Sequence, residues 1–132
     1  MVWLPAYAPG PTPMEKLSEF FLRHLNDGGV LIFTTQGRRS AKWLHENTYN
    51  YGLDKGDVAN ILAAFKKDGF GYAHYPQTSG YGIAIASPSW VLRLVEQTFH
   101  LKILSFFEAG WDSHQDVISC IRSFNYHEPL AG

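Results

Sequence analysis

Gly28-Gly29-Val30-Leu31-Ile32-Phe33-Thr34-Thr35-Gln36-Gly37 is the stretch on which the fold turns. A glycine pair precedes four apolar residues in a row, and a polar turn follows. Such an unbroken apolar run suits a strand covered on both faces, as in a parallel sheet. The turn after it is where open α/β sheets collect ligands, at the carboxyl ends of their strands. A second stretch has the same form in reverse order. Gly110-Trp111-Asp112-Ser113-His114-Gln115-Asp116 is a polar turn, and Val117-Ile118-Ser119-Cys120-Ile121-Arg122 is the apolar run it feeds.

Working outward, the chain upstream of Gly28 reads as a helix. Thr12-Pro13-Met14-Glu15 has a capping threonine, a proline at the first helical position and a glutamate that reaches back. Met14, Leu17, Phe21 and Leu25 recur at helical spacing, and Gly28 is placed to end the helix in a left-handed conformation. Before it, Val2-Trp3-Leu4 is a strand remnant leading into a proline-rich loop.

Downstream, residues 38–79 are less regular and read as an insertion over the sheet edge, either a packing appendage or a substrate lid. Ser40 to His45 is a short helix. Asp54 caps a second helix whose inner face is Val58, Ile61, Leu62 and Phe65, ending at Gly69. Gly69-Phe70-Gly71-Tyr72 and Tyr75-Pro76 form a flexible aromatic stretch. Tyr81 to Ala86 is a short strand, and Ser87-Pro88 opens a third helix. Leu101 to Phe107 and Val117 to Phe124 are strands. The loop Glu108–Asp116 joins them into an antiparallel hairpin at one sheet edge. Asn125 to Gly132 is a polar tail.

The composition fits one globular α/β domain over residues 1–132: 45% of residues are hydrophobic and 17% charged. The net charge of −1 offers nothing to nucleic acid or an anionic membrane, so neither is expected as a partner. No apolar run is long enough to span a bilayer and no signal peptide is apparent, which places the chain in the cytoplasm as an expectation. The single cysteine, Cys120, lies in an apolar strand pattern and reads as core. Aromatic residues reach 15%, and many fall between elements, at Tyr49, Tyr51, Tyr72, Tyr75, Tyr81 and Trp111, where they line a pocket or an interface. No histidine pair has metal-ligand spacing near a cysteine or carboxylate cluster, so no metal is expected.

The order is now helix, GG-strand ending in Thr34-Thr35-Gln36-Gly37, insertion, short strand, Ser87-Pro88 helix, strand, Gly110-Trp111-Asp112-Ser113-His114-Gln115-Asp116 turn, final strand. This order resembles the C-terminal half of class I S-adenosylmethionine-dependent methyltransferases, over roughly residues 12–124. The resemblance implies a partial Rossmann-like sheet whose fifth strand is 30–33 and whose closing pair of strands has the second reversed. It implies S-adenosylmethionine as cofactor and a small-molecule methyl acceptor. The family's glycine-rich loop after its first strand, and the acidic residue ending its second, have no counterpart in these 132 residues. Gly69-Phe70-Gly71 and Gly80-Tyr81-Gly82 do not replace them, because neither sits between a first strand and a helix. The cofactor-binding residues are therefore unknown, and methyl transfer requires a complementary cofactor-binding half. A non-catalytic interaction domain and a small-ligand-binding domain are the alternatives.

Methyl transfer from a sulfonium needs positioning more than acid–base chemistry. Candidate acceptor contacts are Thr34, Thr35, Gln36 and Tyr81, with Trp111 either an aromatic wall or a hairpin packing residue. His114 is the candidate base, with Asp112 and Asp116 close enough in sequence to orient it. Gln115 and Asp116 also suit a role in pinning the hairpin. An isolated half would leave a sheet edge open, so self-association is expected.

Overall fold

The computed structural model describes residues 20–78, 80–98 and 100–123. The helix start expected at Thr12–Glu15, the Val2–Leu4 remnant and the tail from Asn125 lie outside those residues. The described elements are β1 (Val30–Thr35), α1 (Arg38–His45), α2 (Lys55–Asp68), β2 (Phe70–His74), β3 (Gly82–Ala86), α3 (Pro88–Gln97), β4 (Leu101–Trp111) and β5 (Gln115–Arg122). Together they form a mixed α/β fold with two antiparallel sheets. No helix among the described residues is long and apolar enough to cross a membrane.

The larger sheet has the order β1-β5-β4. β5 is antiparallel to both neighbours, so β1 and β4 run in the same direction. The continuous apolar run at 30–33 is thus not the signature of a parallel strand covered on both faces. Leu31 and Phe33 point into a core with Ile118, Cys120, Leu101, Ala86 and, from α3, Val91 and Val95. Val30 and Ile32, on the other face, are 50% and 40% exposed. Strict alternation of side chains in a strand explains both facts at once.

The closing hairpin also departs from the expected form. β4 continues to Trp111 and β5 starts at Gln115, so the turn is 112–114 and residues 108–110 belong to a bulged strand. Ala109 takes a positive φ of 50° there. Of the two hairpin strands, β5 is central and β4 lies at an edge.

Residues 70–74 are not a flexible stretch. They form β2, which pairs with β3 in a two-stranded sheet from Phe70↔Ala86 to His74↔Gly82. The hairpin packs with α1 and α2 around a second core of Ala41, Leu44, Leu53, Ile61, Ala73, Ile83 and Ile85. Gly71 makes that packing possible: a Cβ on it would lie 2.4 Å from the Ile61 carbonyl oxygen. The two sheets meet where β1 ends. Gln36 bridges Ile85 in parallel sense, and its carbonyl accepts from the Ala86 N–H at 2.8 Å.

The local signals for the helices work as read. Asp54 accepts from the Asp57 N–H and Gly69 closes α2 in a left-handed conformation; Ser87 accepts from the Trp90 N–H with Pro88 beside it. Gly28 has a φ of 80° after the helical residues 20–24. Cys120 is fully buried, and burial pushes its thiol up to about 11.

Candidate functional site at the end of β1

The register of the large sheet decides what gathers at the end of β1. Thr35 pairs with Asp116, the second residue of β5. The β4–β5 turn carrying His114 therefore lies at the carboxyl end of β1, beside the start of α1. A chain of side-chain hydrogen bonds is built there. Ser40, on the first turn of α1, donates to Gln36 Oε1 at 2.6 Å. Tyr51 donates to Ser40 Oγ at 3.0 Å, and the Tyr51 hydroxyl meets His114 Nε2 at 2.5 Å. Four residues from three segments are thus joined in one line.

The line is enclosed by aromatic rings. The His114 ring lies 4.7 Å from that of Trp43, tilted by 33°, and 5.7 Å from that of Tyr51, on which it stacks at 25°. Tyr49 meets Tyr51 edge-on at 4.6 Å. Tyr51 holds its place through a positive φ of 55°, followed by Gly52 at 77°. Burial raises the Tyr51 hydroxyl above its ordinary range, so it stays protonated near neutrality. Burial also lowers the His114 imidazole, with Arg39 adding to the effect and Asp112 opposing it. The imidazole is consequently neutral at pH 7, and its ring is ordered by an aromatic clamp.

Of the residues singled out in the sequence, the fold brings Gln36 and His114 into one assembly. The others are placed differently. Thr34 is buried in the β1 ladder, and the Thr35 hydroxyl is buried with no hydrogen-bond partner. Trp111 is exposed at the end of β4, where its carbonyl accepts from the His114 N–H at 2.9 Å and shapes the turn. Tyr81 sits in the β2–β3 turn with its side chain 61% exposed; no hydrogen bond or ring contact joins it to the line. Orientation of His114 does not come from Asp112 or Asp116. Tyr51 supplies it, while Asp116 Oδ1 accepts from the Ala109 N–H at 2.8 Å and pins the bulge of β4.

Sequence pattern alone does not mark Ser40, Trp43 or Tyr51 as site residues. Tyr51 did stand out as an aromatic outside the regular elements. Nothing in the spacing linked it to a histidine 63 positions away.

Gly37, Gly69 and Gly82 are occupied by the chain's own packing. A Cβ on Gly69 would meet Ser87 Oγ at 2.7 Å, and one on Gly82 would meet the Ala73 carbonyl oxygen at 2.2 Å. Gly37 is close-packed on Asp116. None of these forms an open backbone cradle for a nucleotide-like cofactor. Comparison with family models, with curated proteins and with solved structures finds no match to this chain.

Proposed function

We propose that the chain is the acceptor-side portion of a methyltransferase-like domain, of the class I Rossmann-like kind, which orients a small-molecule methyl acceptor at the end of β1. The observation that carries this reading is the Thr35–Asp116 pairing, because it sets the His114 turn and the Gln36–Ser40–Tyr51–His114 line at one strand terminus. The β1-β5-β4 order, with its reversed last strand, is in keeping with the resemblance. In this reading His114 accepts a proton from, or hydrogen-bonds, the acceptor, and Tyr51 fixes the imidazole. A glycine-rich loop between a strand and a helix, which would hold S-adenosylmethionine, has no counterpart in the sequence. Binding of S-adenosylmethionine belongs to a complementary half.

Titration of the full chain with small amines, hydroxy compounds and carboxylates, followed by the His114 ring signals in NMR spectra, tests the reading. At least one class should shift those signals, and Tyr51→Phe should weaken the response. S-adenosylmethionine alone should give no heat in calorimetry. Tight binding of S-adenosylmethionine by this chain, or His114 signals indifferent to every class, would overturn the proposal. A second reading, a non-catalytic interaction domain, draws on the exposed apolar face of Val30, Ile32 and Phe107. It predicts indifferent ring signals together with concentration-dependent association.

A further inference from the structure

A separate cleft opens beside the first turn of α1. Arg38, Arg39 and Lys42 line it together with Glu108, Ala109 and Asp116, and its volume is about 370 Å³. The cations are not equally engaged. Glu108 takes Nε and Nη2 of Arg38 in a two-point pair, both at 2.6 Å. Lys42 has only Glu46 nearby, at 3.9 Å, and Arg39 has no carboxylate partner among the described residues. α1 starts at Gly37 without a side-chain cap, so the helix's positive end is also uncompensated by its own sequence.

The other wall supplies an acceptor. Asp116 is 1% exposed, its Oδ1 bonded to the Ala109 N–H. Its Oδ2 is buried with no partner. Gly37 leaves the space for it, since a Cβ there would sit 2.0 Å from Oδ2. Buried polar atoms are almost always bonded, so an orphan oxygen in a cleft wall calls for a donor. Three cations against two carboxylates leave one positive charge in the cleft. A ligand with one negative charge and one adjacent hydrogen-bond donor would balance both.

We propose that this cleft binds a small hydroxy- or amino-carboxylate, its carboxylate held by Arg39 and Lys42 and its hydroxyl or amine donating to Oδ2 of Asp116. The site stands on the cleft alone and does not depend on methyl transfer. Mandelate and phenylacetate are matched probes, of similar shape, with and without the hydroxyl. Calorimetry or amide NMR titration of the full chain should show mandelate binding roughly tenfold more tightly, the effect of one hydrogen bond to a charged group. Asp116→Asn should reduce the preference, because the amide keeps an acceptor for Ala109 and the ligand hydroxyl then accepts from a neutral N–H in place of donating to a carboxylate. Arg39→Ala and Lys42→Ala, both at the surface, should weaken both acids alike and leave the fold intact. Equal binding of the two acids would overturn the proposal, as would mandelate binding unchanged in Arg39→Ala and Lys42→Ala. Absence of binding by either acid at millimolar concentration would also overturn it. If Asp116→Asn does not fold, the matched acids and the two surface variants still decide.

Discussion

A hydroxyl has one proton to give, and this sets the direction of the line at the end of β1. Ser40 gives its proton to Gln36, and Tyr51 gives its own to Ser40. The Tyr51 oxygen can then only accept from His114, so Nε2 of the neutral imidazole carries the proton and Nδ1 is left with a free lone pair. Ring nitrogen NMR shifts should show this tautomer in the native chain and lose the preference in Tyr51→Phe. That variant also strands the Ser40 and His114 groups and should cost about 1 kcal/mol in urea denaturation. Burial gives the same histidine a sign for its pH dependence. Its folded-state pKa lies below the ordinary 6.5, so its stabilising contribution is complete above that value and is lost as pH falls toward the depressed one. Asp116 runs the other way, because burial raises its carboxyl above 3.8 and deprotonation on rising pH costs stability. Between about pH 7.5 and about pH 5.5 the histidine is the group in play, so the native chain should lose stability and His114→Gln should lose less. Equal losses in both would refute the assignment. At this scale the sequence pointed to His114 through its turn, but pointed to its near neighbours as partners. The true partner is remote because a histidine ring needs a donor or acceptor in space, and only the Thr35–Asp116 register brings α1 and Tyr51 there.

Among the elements, what was readable follows from what is local. α2 could be bounded from Asp54 and Gly69 because a cap needs only the four residues around it. Asp54→Ala should therefore cost about 1 kcal/mol, the ordinary value of a lost N-cap. β2 was missed for the opposite reason. Two glycines in Gly69-Phe70-Gly71-Tyr72 resemble a flexible link, yet they serve different tertiary needs. Gly69 turns the chain with a φ of 75°, and Gly71 lets the strand lie against α2. The collision at Gly71 is with backbone oxygen, 2.4 Å from a new Cβ, whereas the one at Gly69 is with the Ser87 hydroxyl, whose rotation gives up only its cap on the Trp90 N–H. Gly71→Ala should accordingly destabilise more than Gly69→Ala, by several kcal/mol against about 1–2 kcal/mol. The reverse ranking in parallel denaturation curves would show that β2 can move away from α2 without loss.

At the scale of the molecule, the larger sheet is finished on one face and open on the other. α3 and the core residues cover Leu31, Phe33, Ile118 and Cys120, while Val30, Ile32 and Phe107 stay exposed. The sequence announced the reversed final strand but not this one-sided burial, because an apolar run does not say whether its second face finds a cover. The two edges differ as well. β4 is broken by register shifts at Ile103/Ser105 and Phe107/Trp111, which blunt an edge against further pairing. β1 reads Val-Leu-Ile-Phe-Thr-Thr, has no charge, proline or glycine, and is paired on one side only among the described residues, apart from the Gln36 bridge that follows it. An uncharged apolar edge of this kind is a template for another strand. Association between copies is thus expected to run through β1 and not through β4. Sedimentation velocity over a range of concentrations should show a dimer or larger species for the native chain. Ile32→Lys should return it to monomer with an unchanged circular dichroism spectrum. Leu104→Lys, at an exposed position on the bulged edge, should leave the association in place. A native chain that stays monomeric at high concentration would remove the need for any partner at β1. Association abolished equally by both variants would move the contact off the edge and onto the apolar sheet surface.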